Sequence, residues 1–300
     1  MAVLSLLSGG ATATVDPPPT ASESLQQPDS KPGNSGLETV TVEARKQREL
    51  IEHQISTFVS SITIPSRDES LARWRPPVCP LVAGLPRDKG EFVLARLSQV
   101  ARDAGIPLAP EKCAPNFLVV VTPQPDVLLQ KWWARSPRLF NRDRGVGGIK
   151  RFISTARPIR VWYNANSACE GGGGETTFEF QAGMVYPSCS SGGLGSRLVW
   201  EVVRQIHSVI VVVDLGHIKD LNVGQLADYI AMIGFAQIRE NAQPGAAPTI
   251  LRLFTDSAAA RPQGLSSWDQ AFLKSLYATD SSNVMQLAQI KFRLFQDLAR

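Results

Sequence analysis

Histidine is scarce in this chain. His53, His207 and His217 are its whole supply, and none has a partner four residues away, the spacing by which one helix face grips a catalytic metal. Cysteine is also limited to four positions, Cys79, Cys113, Cys169 and Cys189, with no C-x-x-C pair and no histidine placed for a zinc finger. The G-x-S-x-G nucleophile elbow of serine hydrolases is missing, and Gly192-Gly-Leu-Gly195-Ser196 only approaches it. Glycines 171–174 lack the lysine and hydroxyl of a phosphate cradle, so this run reads as a loop. No apolar stretch reaches the ~18 residues of a membrane-spanning helix. Charge is sparse too, at 19% charged against 43% apolar residues, which excludes a fully disordered chain. The net charge of +4 is too small to announce a nucleic-acid binder. No internal repeat is present.

What is there begins with an export-like start. Residues 1–13 form an apolar run that closes on small residues at Ala11-Thr-Ala13, similar to the end of a secretory signal, although the usual basic head is missing. An even number of cysteines in turn-rich flanks such as Pro76-Pro-Val-Cys-Pro80 agrees with export and disulfides. Paired in order, the cysteines would close loops of 34 and 20 residues, each worth on the order of 3 kcal/mol. Four cysteines allow three connectivities, and spacing does not choose among them. A periplasmic or secreted protein is therefore expected, the alternative being a cytoplasmic chain with four buried thiols.

Residues 1–36, signal-like and then rich in Pro, Ser, Gly and Gln, are expected to be a disordered linker. Two globular units are expected to follow, 37–165 and 166–300, or one continuous domain over 37–300. Alternation in Thr39–Glu43 predicts a short strand, and the spacing of Leu50, Ile51, Ile55, Phe58, Val59 and Ile62 predicts a helix over 44–61. Lys89–Ala104 predicts an amphipathic helix with Phe92, Val93, Leu97, Val100 and Ala101 inward and Gly105 as its stop. Asn116–Thr122 reads as a central strand and Pro125–Arg135 as a helix with proline in its first turn. Pro158–Tyr163, Thr176–Phe180, Met184–Tyr186 and Ser208–Asp214 read as strands. Helices are predicted over 222–238 with Asn222 as cap, over 268–277 capped by Ser266 or Ser267, and from a cap at Ser281 or Ser282 to about Leu298. This is an α+β pattern, a mixed sheet with flanking helices.

Candidate chemistry is thin. Asp214, at the end of the Val-rich strand, is placed where α/β sheets often hold ligands, yet capping the following turn is the favoured reading. Asp228 falls beside an apolar helix face, which predicts a half-buried residue with a structural partner in preference to catalysis. His53 reads as a surface residue. No cofactor and no metal are expected. Asp214, His217 and Asp228 are the polar set on which a hydrolase, the alternative to a binding or structural protein, would rest.

One segment concentrates charge. Lys131, Arg135, Arg138, Arg142, Arg144, Lys150, Arg151, Arg157 and Arg160 face only Asp143 within residues 131–160, a local net of +8. Arginine forks onto phosphate and carboxylate, and Trp132, Trp133, Phe140 and Phe152 are interleaved with these cations. Arg135, Arg138, Arg142, Arg144, Lys150 and Arg151 are the candidate anion contacts. An anionic envelope component (a lipid headgroup or glycan) or an envelope protein is expected ahead of nucleic acid, the alternative being an ordinary solvated surface.

Two resemblances follow. Arg73-Trp-Arg-Pro-Pro-Val-Cys-Pro-Leu-Val-Ala-Gly-Leu85 and Cys113-Ala-Pro-Asn-Phe-Leu-Val-Val120, together with Trp162-Tyr-Asn164 and Gln225–Met232, resemble a family of uncharacterised exported proteins of proteobacteria over roughly residues 39–298. That resemblance implies an exported location and a Cys79–Cys113 bridge, but no reaction. Leu265–Tyr277 is similar to a segment of zincin-type metallopeptidase domains. Their H-E-x-x-H helix is replaced here by Asp228-Tyr-Ile-Ala-Met232, which cannot hold zinc or activate its water. That resemblance implies an inactive, metal-less relative.

Overall fold

The computed structural model describes residues 35–64, 70–140, 144–170, 176–181, 184–189 and 202–299, with side chains from residue 43 onward except in 176–187. Its elements are α1 (Ser35–Ile62), β1 (Arg73–Trp74), β2 (Pro80–Ala83), α2 (Arg87–Ala104), β3 (Phe117–Thr122), α3 (Pro125–Arg135), α4 (Gly145–Ser154), β4 (Ile159–Cys169), β5 (Thr176–Gln181), β6 (Met184–Cys189), β7 (Val202–Asp214), α5 (Val223–Phe235), α6 (Ser267–Ala278) and α7 (Gln286–Leu298). Ala44–Arg300 is one compact unit.

The continuous β-branched run of β7 places it at the centre, because only a strand covered on both faces can bury every side chain. Along one edge β4 pairs with it antiparallel, from Ile159↔Val213 to Cys169↔Val202, with an irregularity at Asn164/Ala165. Along the other edge β1 and β3 pair with it parallel, β3 in register from Phe117↔Val209 to Thr122↔Asp214. β2 pairs parallel with β3, so the five strands form a mixed sheet, and β5 and β6 make a separate hairpin.

Alternation across the strands then fixes two layers. Val209, Val211 and Val213 face a large core with Phe58 of α1, Leu97 of α2, Leu226 of α5, Phe272 of α6 and Ile290 of α7. Ile210 and Val212 face a smaller one with Leu129 of α3, Ile149 and Phe152 of α4, Phe140 and Trp162. Burying each large apolar side chain contributes roughly 1.5–3 kcal/mol. The close approach of α5 to β3 requires Gly234, since a methyl group there would lie 2.0 Å from the Phe117 ring. Gly105 ends α2 in the left-handed region at φ 74°, which a side chain would disfavour. Asn222 and Ser266 cap α5 and α6 through reciprocal capping boxes with Gln225 and Asp269.

The cysteines pair in order. Cys79–Cys113 and Cys169–Cys189 have Cα separations of 6.0 and 5.8 Å, inside the normal disulfide range. The first closes the loop that carries α2, and the second ties the end of β4 to β6.

Several expectations are corrected. Thr39–Glu43 is helical, part of α1; its alternation is only local, whereas the helical pattern that follows it is sustained. The expected disordered linker over 1–36 lies outside the described residues up to 34, and Ser35 already belongs to α1. Phe92 is 45% exposed and Leu50 53% exposed, so each sits on the outer flank of its helix. Neither Ser281 nor Ser282 caps α7, which starts after Met285; Ser281 accepts from Arg73 and Arg75, and Ser282 is bonded to Asp280. β7 and β4 are longer than expected because polar residues such as Gln205 and Asn166 continue the pairing past the apolar runs.

Candidate ligand-binding site

The basic segment is divided by the fold. Arg160 points into the smaller layer and is buried, donating to Ile153 O at 2.7 Å and to Asp126 at 2.5 Å, while its Nε has no partner. Arg144 pairs with Glu240 at 2.5 Å and lies over the Trp162 ring. Arg157 donates to Glu240 O at 2.7 Å and to Asn241 at 3.0 Å. Lys131, Arg135, Arg138, Lys150 and Arg151 stay exposed on α3, the turn after it and α4, and none has an ion-pair partner among the described residues. Arg142 lies outside the described residues.

The interleaved aromatics do not share that surface. Phe140 and Phe152 are buried and pack with Trp162, with ring centroids 6.0 and 5.4 Å away. Trp132 and Trp133 are half-buried against the same cluster. All four serve the core beneath the cations. They are therefore not a free stacking platform.

A cleft of about 320 Å³ opens where this layer meets the sheet edge. Arg151 and Phe152 of α4 with Thr155 at its C-cap form one wall, and Tyr229 and Ile233 of α5 with Leu251 and Phe254 form the other. Pro158, Ile159, Arg160 and Val161 make the floor, with Arg157, Arg239 and Glu240 at the rim. Asp214 N–H donates to Pro158 O at 2.9 Å, so antiparallel alternation turns the N–H and C=O of Ile159 and Val161 away from β7 and towards the cleft. No strand among the described residues pairs along that edge at Ile159–Val161. Burial pushes the Tyr229 hydroxyl up to about 12, so it remains a protonated donor at neutral pH.

Of the three polar candidates, Asp214 and His217 meet and Asp228 lies apart. Asp214 accepts from Gly216 N–H at 2.8 Å, the turn-capping role expected of it, and also meets His217 Nδ1 at 3.1 Å. This pair stands at the carboxyl end of β7, where β3 continues to α3 on one face of the sheet and β7 to α5 on the other. An Asp that holds one imidazole nitrogen frees the other for proton transfer, but no hydroxyl or thiol meets it among the described residues. Asp228 belongs elsewhere. It is buried and paired with Arg96 at 2.5 and 3.1 Å, and it accepts from Leu265 N–H at 2.8 Å. His53 is exposed, and His207 meets Asn166 while burial lowers its imidazole pKa. Among the described residues no cluster of His, Cys, Asp and Glu could hold a metal, and no helix is long and apolar enough to cross a membrane.

Sequence reading missed Tyr229, Leu251, Phe254, Arg239 and Glu240, which come from segments far from β4 in the chain. The one local signal was Arg160, a cation inside the apolar first half of β4. Comparison with family models, curated proteins and solved structures returns no match.

Proposed function

We propose that this chain is an exported protein of the bacterial envelope that acts by binding, and that its ligand is an anionic envelope component, a lipid headgroup or acidic glycan. The observation that carries the reading is the set of exposed cations, Lys131, Arg135, Arg138, Lys150 and Arg151, on one helical layer without carboxylate partners among the described residues. Two disulfides support a non-reducing compartment. Co-sedimentation with anionic and neutral vesicles tests it, with a soluble acidic polysaccharide as competitor. The full chain should pellet with anionic vesicles at low salt, release steeply as salt shortens the screening length from ~10 to ~3 Å, and lose most binding when Arg135, Arg138 and Arg151 become Gln. Equal retention on both vesicle types, or none on either together with no effect of the polysaccharide, ends the reading.

A second reading, a hydrolase, has the Asp214–His217 contact in its favour. Turnover of a chromogenic ester or peptide that disappears in His217→Ala would support it, and no turnover by the parent chain would remove it.

A further inference from the structure

We propose that the outer edge of β4 is a strand-addition site for an extended segment of a partner protein in which apolar and acidic residues alternate. The site is distinct from the helical surface just described, although Arg151 belongs to both.

Three features carry it. First, Ile159 and Val161 direct their backbone N–H and C=O into a cleft, with no protein partner among the described residues. Paired backbone groups are the rule in folded proteins, and an extended peptide supplies the missing partners along such an edge. Second, the two walls differ. A strand laid on this edge would send successive side chains to opposite faces of the sheet. On one face they meet Tyr229, Ile233 and Phe254; on the other they meet α4, where exposed Arg151 has no ion-pair partner among the described residues. Apolar residues suit the first wall and carboxylates the second. Third, the rim selects against other occupants. Four arginines (Arg151, Arg157, Arg160 and Arg239) against Glu240 line the cleft; Arg157, Arg160 and Arg239 already have partners within the chain, so a second copy of the same edge would bring like charges together and a neutral strand would leave Arg151 unmatched. The protonated Tyr229 hydroxyl adds a donor for a peptide carbonyl.

The experiment uses the full chain and a short labelled peptide of alternating valine and glutamate, blocked at both ends so that it has no terminal charge. Fluorescence anisotropy gives affinity, and hydrogen exchange reads the Ile159 and Val161 amides. The parent peptide should bind and protect both amides. N-methylation of every second amide should separate the two phases by ~10-fold, because only one phase removes the N–H groups that face β4. Lysine in place of glutamate should weaken binding, and so should Arg151→Gln in the protein. Equal affinity of the two N-methyl phases overturns the proposal, as does no binding of the parent peptide at millimolar concentration. Vesicle binding without peptide binding removes this inference and leaves the lipid or glycan reading intact. Peptide binding without vesicle or polysaccharide binding does the reverse.

Discussion

On the larger face of the sheet Asp228 is 6% exposed and its partner Arg96 27%; on the smaller face the burial is reversed, with Arg160 at 3% and Asp126 at 60%. The carboxylate of Asp228 is answered by two guanidinium nitrogens and the Leu265 N–H. Arg160 spends one nitrogen on a helix-end carbonyl and one on a largely solvated carboxylate, and leaves Nε unanswered. The difference shows that burial alone does not make an ion pair structural. What matters is what remains in the dry interior when the partner is taken away.

The largest effect expected on breaking this comparison is at Arg96. Arg96→Ala strands a carboxylate that is buried in α5, and should lower unfolding free energy by about 3 kcal/mol in urea titrations. Asp228→Ala leaves behind a cation that can turn to solvent and should cost less, about 1–2 kcal/mol. Equal losses would mean the pair behaves as a surface contact.

The segment that carries Arg96 is itself cross-linked, which gives a second and comparable effect. Cys79→Ser and Cys113→Ser should each destabilise by about 3 kcal/mol, and the double variant by little more, because both remove the same bridge. Additive losses in denaturant melts would show that each cysteine acts through its own packing and not through the bridge.

How much of this was legible varies with the range of the interaction. Pro125–Arg135 was readable to the residue, Asn222 was readable as a cap and the α6 cap was narrowed to Ser266 or Ser267, since proline at the first turn and side-chain caps are local chemistry. The central strands followed from their β-branched runs, but their lower halves did not. Polar residues such as Gln205 and Asn166 carry no strand signal and are held by pairing alone. Asp228 was readable as a paired, half-buried acid from its place beside the apolar face, although neither its full burial nor Arg96 was. The cleft was invisible for the same reason. Its two walls come from α4 and from the region after residue 228, and only the turn of the chain around β4 brings them together. Aromatics interleaved with arginines misled for a different reason, because helical spacing sends neighbours to opposite sides. Phe152 enters the core while Arg151 faces solvent.

The smallest effect belongs to Arg160, and it sharpens the comparison most. Arg160→Met removes a buried guanidinium whose Nε is unpaired and substitutes an apolar chain in a layer already lined by Phe152 and Trp162. The orphaned Asp126 is mostly exposed and returns to water, so no unmatched carboxylate is left inside. One helix-end carbonyl, that of Ile153, loses its donor, a loss of about 1 kcal/mol, offset by the end of the desolvation penalty on the cation. The urea midpoint should therefore move by no more than about 1 kcal/mol equivalent, in either direction, with an unchanged slope. A loss near that of Arg96→Ala would put Arg160 on the same footing as Asp228 and erase the difference between the two faces. With stability preserved, the variant also becomes a probe of the cleft. It removes a cation from the floor while leaving Arg151 in place, so any loss of acidic-peptide binding reports charge and not unfolding.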